Sequence, residues 1–157
     1  MGVWEGKDAS WRAWSVLDKM MEENPANNPV AMGIHPTSTP VIEVAGDGKT
    51  AKGVWLGTGF VGQVNVKTKK PECVWEWDRY GVDFVKEDGK WKFWHFHIYS
   101  LFTAGWNDPW ENQFKKKESG PGMRYPEGTQ PDGPGVDEYP YEPGVALKLI
   151  PELPEPY

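Results

Sequence analysis

The sequence predicts an α+β fold: one helix near the start, a strongly curved antiparallel β-sheet packed on it, and an extended Pro/Gly-rich C-terminal tail. Three observations carry that expectation. Residues 8–24, "DASWRAWSVLDKMMEEN", place Trp11, Trp14, Leu17 and Met21 roughly on one helical face. Residues 41–102 are long alternating runs of Val, Trp, Phe and Tyr broken by Asp-Gly pairs. Nine of the fifteen prolines lie after Ser119, a composition that opposes both helix and sheet ladders.

The elements follow in order. Asp8 or Ser10 can cap the helix, and Pro25 stops it. "VAMGIHP" and "TPVIEVAG" read as short strands, and "AGDGKTAKG" as a turn built on Asp47-Gly48. "KGVWLGTGFVGQVNV" is a long strand in which Val54, Leu56, Thr58 and Phe60 oppose Trp55 and Val61; Gly57, Gly59 and Gly62 predict bending or bulges. "ECVWEWDRYGVDFVKEDGKWKFWHFHIYSLF" is a long hairpin around Asp88-Gly89. "WNDPWENQF" reads as a turn into a short helix, with Asp108 as cap and Pro109 at the first helical position. Residues 1–118 make one domain. Residues 119–157 are the tail, packing on that domain or on a partner, with "VALKLI" as a short docking strand.

Both faces of the long hairpin are apolar. An antiparallel sheet in a lone monomer usually wets one face, so one face should cover a core or pocket and the other meet a second subunit. All ten tryptophans lie between Trp4 and Trp110, which adds to the same expectation.

Composition narrows the function. The net charge is −6 with no basic stripe, which argues against a nucleic-acid partner. No apolar run approaches a membrane span, and the first residues do not read as a signal peptide. Cys73 is the only cysteine, so no internal disulfide forms and a reducing, cytoplasmic setting is expected. Neither adjacent residue, Glu72 or Val74, is a His or Lys that could activate it, and it reads as structural. Phosphate-cradling loops, G-x-S-x-G elbows and nucleotide-binding glycine fingerprints are all missing, and no cofactor is expected.

The chemistry-bearing residues cluster in the hairpin. His95 and His97 stand two apart on a strand, about 7 Å from each other on one face, among Phe93 and Tyr99. They could ligate a metal, but a third ligand such as His35 or a carboxylate would be required. They could work as an acid–base pair, since aromatic surroundings disfavour the charged imidazole and leave a neutral base. They could also be core histidines bonded to carbonyls. A two-residue turn at Asp88-Gly89 pairs Tyr80 with His97, Val82 with His95 and Asp78 with Tyr99. A three-residue loop with a bulge slips this by one and brings Arg79 and Asp83 to that face instead. The two-residue register is the slightly preferred one.

"GVWEGKDA", a helix, "HPTSTPVIEVAGDGKTAKGVW", "RYGVDFVKEDGKWKFWHFHIY" and the terminal "PELPEPY" resemble the SnoaL-like branch of the nuclear transport factor 2-like superfamily. The resemblance spans most of the chain. It implies a cone: a bent antiparallel sheet wrapped around helices, with a pocket inside and homodimers through the outer face. Relatives by fold include scytalone dehydratase and ketosteroid isomerase. Members normally open with two helices ahead of the "GVWEG" segment, so any catalytic residue carried there has no counterpart in this sequence. The resemblance also casts His35 as a strand histidine pointing into the cone.

The expected function is binding of a small hydrophobic cyclic or aromatic compound, with cofactor-free dehydration or isomerisation. His35 and His97 are the candidate base and acid, Tyr80 the carbonyl donor and Asp78 the orienting group. His95, Tyr99, Phe93 and Trp55 are the expected ligand-lining residues, and no resident metal is expected. The alternatives are a non-catalytic binding or assembly subunit and a His-dependent metalloenzyme.

Overall fold

A computed structural model describes residues 2–23, 30–64, 68–108, 125–135 and 144–146 of the 157. The elements are β1 (Gly2–Val3), α1 (Ala9–Glu23), β2 (Val30–Ile34), β3 (Val41–Val44), β4 (Thr50–Val64), β5 (Pro71–Glu87), β6 (Lys90–Gly105) and β7 (Gly133–Pro134). The short helix expected at "WNDPWENQF" and the docking strand expected at "VALKLI" lie largely outside the described residues.

The helix begins where the sequence places it. Asp8 immediately precedes Ala9, its carbonyl accepts the Arg12 N–H at 2.9 Å, and its carboxylate lies 3.3 Å from Arg12 Nε. Val16 is buried, but Trp11 and Trp14, assigned by periodicity to the packed face, are 62% and 63% exposed. The reason lies in what anchors α1. The described hydrogen bonds that its side chains make to other segments run to residues 2–8 and 125–135, not to the large sheet. The Arg12 guanidinium donates to Asp132 at 2.6 and 3.1 Å, to the Gln130 carbonyl at 3.2 Å and to the Glu5 carbonyl at 2.8 Å. Lys19 Nζ donates to the Glu127 carbonyl, and Trp4 Nε1 to that of the fully buried Thr129. β1 and β7 pair antiparallel across the same clasp.

The large sheet is five-stranded and antiparallel. β4, β5 and β6 lie side by side, while β2 and β3 share the free edge of β4, β2 against Phe60–Gln63 and β3 against Ala51–Val54. The β3–β4 turn closes with the Lys49 N–H donating to Asp47 Oδ1 and Gly48 at φ +66°. Between β5 and β6 only Asp88 and Gly89 intervene, at φ +50° and +75°, the two positive values that a type I′ hairpin requires.

The turn is thus the two-residue one, but the register is not the one preferred from sequence. Phe84 faces Phe93 while Asp83 faces His95, leaving Trp94 as an extra residue. This β-bulge slips every later pair by one: Gly81 faces His97, Tyr80 faces Ile98, Arg79 faces Tyr99 and Asp78 faces Ser100. A second bulge at Leu101 pairs Trp77 with Phe102. The face assignment tied from sequence to a longer loop, with Arg79 and Asp83 beside the histidines, therefore arises with the short turn, through a slip in the opposite direction.

Partners in an antiparallel ladder share a face, so the register sorts the side chains. One face carries Gly53, Trp55, Gly57 and Gly59 of β4, Glu76, Asp78, Tyr80, Val82 and Phe84 of β5, and Phe93, Phe96, Ile98 and Ser100 of β6. The other carries Trp75, Trp77, Arg79 and Asp83 with His95, His97, Tyr99 and Phe102. Asp78, Tyr80 and Val82 are buried on the first face.

Candidate functional site

The site is seeded by a break in the edge of β4. β2 ends at Ile34, and Pro36 and Pro40 have no N–H to donate to a continuing ladder. Among the described residues, a bridge between Thr37 and Gly57 and a bond from the Ser38 N–H to the Leu56 carbonyl span the gap. His35 leaves the end of β2 onto the face that holds Asp78. Its ring lies over Gly59, where a Cβ would stand 2.5 Å from His35 Cε1. The same device recurs along β4. Tyr80 covers Gly57 and Trp55 covers Gly53, each within 2.6 Å of where a Cβ would be.

His35 meets two carboxylates. Its Nδ1 lies 3.7 Å from Asp78 Oδ2 and its Nε2 lies 3.7 Å from Glu76 Oε2. Both separations exceed a hydrogen bond. The side chains are 36% exposed at His35, 30% at Glu76 and 6% at Asp78, a gradient from open to closed. Ser100, facing Asp78 across β6, hydrogen-bonds its carboxylate.

Burial sets the protonation of this group. It pushes the Asp78 carboxyl above its ordinary range, against the opposing pull of Ser100 and His35. Glu76 is pushed up too, by burial first and then by the charge of Asp78. The Tyr80 phenol is raised by burial and by both carboxylates, so it is held neutral as a donor.

Beyond the polar cluster the same face is aromatic. Trp55 and Phe84 meet edge to face at 6.2 Å, Phe84 and Phe93 lie at 5.3 Å, and Tyr80 and Phe96 at 6.0 Å. A polar group that titrates thus sits at one end of an apolar floor.

Of the residues singled out from sequence, His35, Asp78 and Tyr80 come together. Trp55 is on the same floor opposite Tyr80, and Phe93 lies farther out, toward the hairpin end, at 68% exposure. His97, His95 and Tyr99 do not join them. The bulge at Trp94 turns all three to the opposite face, where His95 Nδ1 lies 3.0 Å from Asp83 and the His97 ring stacks on Tyr99. The expected grouping of Asp78 and Tyr80 with His97 and Tyr99 is corrected accordingly. Glu76 was not singled out, although alternation along "EWDRY" puts residues 76, 78 and 80 on one face. Among the described residues, His35, Glu76 and Asp78 form the group of His, Cys, Asp or Glu whose donor atoms all lie within 4.8 Å, close enough to share an ion.

The sequence matches the SnoaL-like domain over residues 2–97. No curated protein matches it. Among solved structures it is similar to the crystal structure of a hexachlorocyclohexane dehydrochlorinase (LinA) type 2, at 13% sequence identity and a TM-score of 0.48. That superposition covers 65% of this chain and 60% of the dehydrochlorinase.

Proposed function

The chain belongs to the SnoaL-like domain family of the nuclear transport factor 2-like superfamily, and we propose that it binds a small hydrophobic cyclic compound and moves protons on it without a cofactor. The observation that carries this is the pairing of His35 with a nearly buried Asp78 at the edge of an aromatic floor. We take that face as the inner wall of the cone.

The roles follow from the environments. Asp78 faces Nδ1 and favours the tautomer with its proton there, leaving the Nε2 lone pair as a base. For a β-hydroxy carbonyl compound, Nε2 takes the proton α to the carbonyl. The electron pair moves into an enolate that the neutral Tyr80 phenol stabilises by hydrogen bonding. Collapse of the enolate expels the β-hydroxyl as water, with a proton from the protonated form of Glu76, the form that burial favours. His35 then returns its proton to Glu76, its neighbour at 3.7 Å, and both are reset. The net change is loss of water and formation of an enone.

Deuterium uptake tests this. Wild-type protein in heavy water with a panel of cyclic ketones should exchange the α-hydrogen faster than buffer alone, and His35→Gln should fall to background. Equal exchange by the two chains would overturn the assignment of His35.

A second copy of the chain is the proposed occupant of the opposite face. That face carries Trp75 stacked on Trp106 at 4.6 Å and Trp77 stacked on Phe102, a density of aromatic surface suited to an interface. Sedimentation should give a dimer or larger; a monomer at all accessible concentrations would remove this reading.

A further inference from the structure

We propose that His35, Glu76 and Asp78 bind one divalent first-row transition-metal ion, of the zinc and manganese class. The site supplies one imidazole nitrogen and two carboxylate oxygens, a donor set that such ions accept. All three donor atoms lie within 4.8 Å of one another. The two His35–carboxylate separations of 3.7 Å are too long for hydrogen bonds. They run to different ring nitrogens, so an ion held by one nitrogen uses one of them, and that one approaches the donor–donor edge of about 3.4 Å that a tetrahedral ion with bonds near 2.1 Å imposes. The other donor–donor distances lie within 4.8 Å, and side-chain rotation draws them in around the ion.

The scaffold is built to hold these donors. Glu76 and Asp78 are two residues apart on β5, whose neighbours β4 and β6 pair with it on both sides, so their spacing is fixed by the sheet. Gly59 gives the His35 ring a seat that any Cβ would occupy. Ser100, opposite Asp78 on β6, hydrogen-bonds its carboxylate, the kind of outer contact that orients a metal-binding carboxylate. Two carboxylates side by side repel, and among the described residues no Lys or Arg ion pair is made with either; a cation would supply the opposing charge. His95 and His97, the more conspicuous histidines in the sequence, lack this support: His95 is engaged with a single Asp83, and the two lie on the other face.

The inference stands apart from the proton-transfer reading, because it needs only the three donors. The two meet at one point. Whichever His35 nitrogen the ion takes, the other carries the ring proton and no lone pair is left to act as base, so zinc should inhibit any exchange that depends on His35.

The test is a calorimetric titration of chelator-treated full chain with zinc chloride, repeated with manganese by electron paramagnetic resonance. Wild type should take one equivalent of zinc, and manganese more weakly, as the stability order of these ions requires. Glu76→Gln and His35→Gln should each weaken zinc binding by about a hundredfold, at least what loss of a supporting contact around a metal costs. The double variant His95→Gln/His97→Gln should bind as wild type does. Thermal unfolding serves as the second readout: zinc should raise the wild-type midpoint and leave that of His35→Gln unmoved. Failure of wild type to bind one equivalent would overturn the proposal. So would zinc affinity that survives Glu76→Gln, or that disappears with His95 and His97.

Discussion

Asp78→Asn is expected to make the chain more stable at neutral pH and at the same time to slow its proton transfer by about a hundredfold to ten-thousandfold. The two effects share one cause. The Asp78 side chain is 6% exposed, and burial disfavours its charged form more than Ser100 and His35 favour it. Its folded pKa therefore lies above the ordinary 3.8, and the folded chain binds this proton more tightly than the unfolded chain does. By linkage, the ionised carboxylate costs stability at every pH above the folded value. That cost is relieved as pH falls through the folded pKa, and is gone below 3.8. Glu76 contributes in the same direction, with relief complete below its ordinary 4.5. Asparagine keeps the shape, can still accept from Ser100, and carries no charge to bury. Urea midpoints should show the variant above wild type at about pH 7, with the gap closing on acidification. The rate falls because a neutral amide neither stabilises the imidazolium nor fixes the productive tautomer of His35. A variant that is less stable at neutral pH would mean that the Asp78 charge is compensated; an unchanged rate would free His35 from its orienter.

Much of this architecture was legible in the sequence because it is written locally. The helix needed only Asp8 and a 3.6-residue spacing, and β4, β5 and β6 needed alternation and two Asp-Gly turns. The family resemblance in "GVWEGKDA" and "RYGVDFVKEDGKW" agrees with the match over residues 2–97. What was not legible depends on non-local choices. The bulge at Trp94 adds one residue to β6 and leaves no compositional mark, yet it decides which face receives His95 and His97. Their H-x-H spacing was the loudest signal in the chain, and it points away from Asp78. The resemblance cast His35 as a strand histidine pointing into the cone, but its carboxylate neighbours were not legible, because the break in the β4 edge is what brings it to Glu76 and Asp78. Glu76 carries no signal of its own beyond the alternation of β5, which puts it on the face of Asp78. The Arg12–Asp132 pair, 120 residues apart, carries no sequence signal at all.

Gly57→Val sets two rules against each other, and the larger one should win. By strand propensity alone the change is favourable, because valine suits a pleated ladder and glycine weakens it. Packing says otherwise. Gly57 is buried in the middle of β4 opposite Asp78, and a Cβ there would stand 2.6 Å from Tyr80 Cε2 and 3.4 Å from the Pro36 carbonyl. Tyr80 is 9% exposed, so its ring has little free volume into which to retreat. Overpacking of this kind costs about 1–3 kcal/mol, which for a chain of this size lowers the unfolding midpoint by several degrees. Gly46→Ala is the matched control, since nothing lies within 4 Å of its Cβ position. The cause can be isolated by pairing Gly57→Val with Tyr80→Ala. Removing the ring alone should destabilise by about 3–5 kcal/mol, as loss of a buried aromatic does. The double variant should be more stable than the sum of the single effects, because the cavity left by the ring accepts the valine methyls. Strict additivity would place the strain elsewhere and detach Tyr80 from the seat that aligns it with Asp78 and His35.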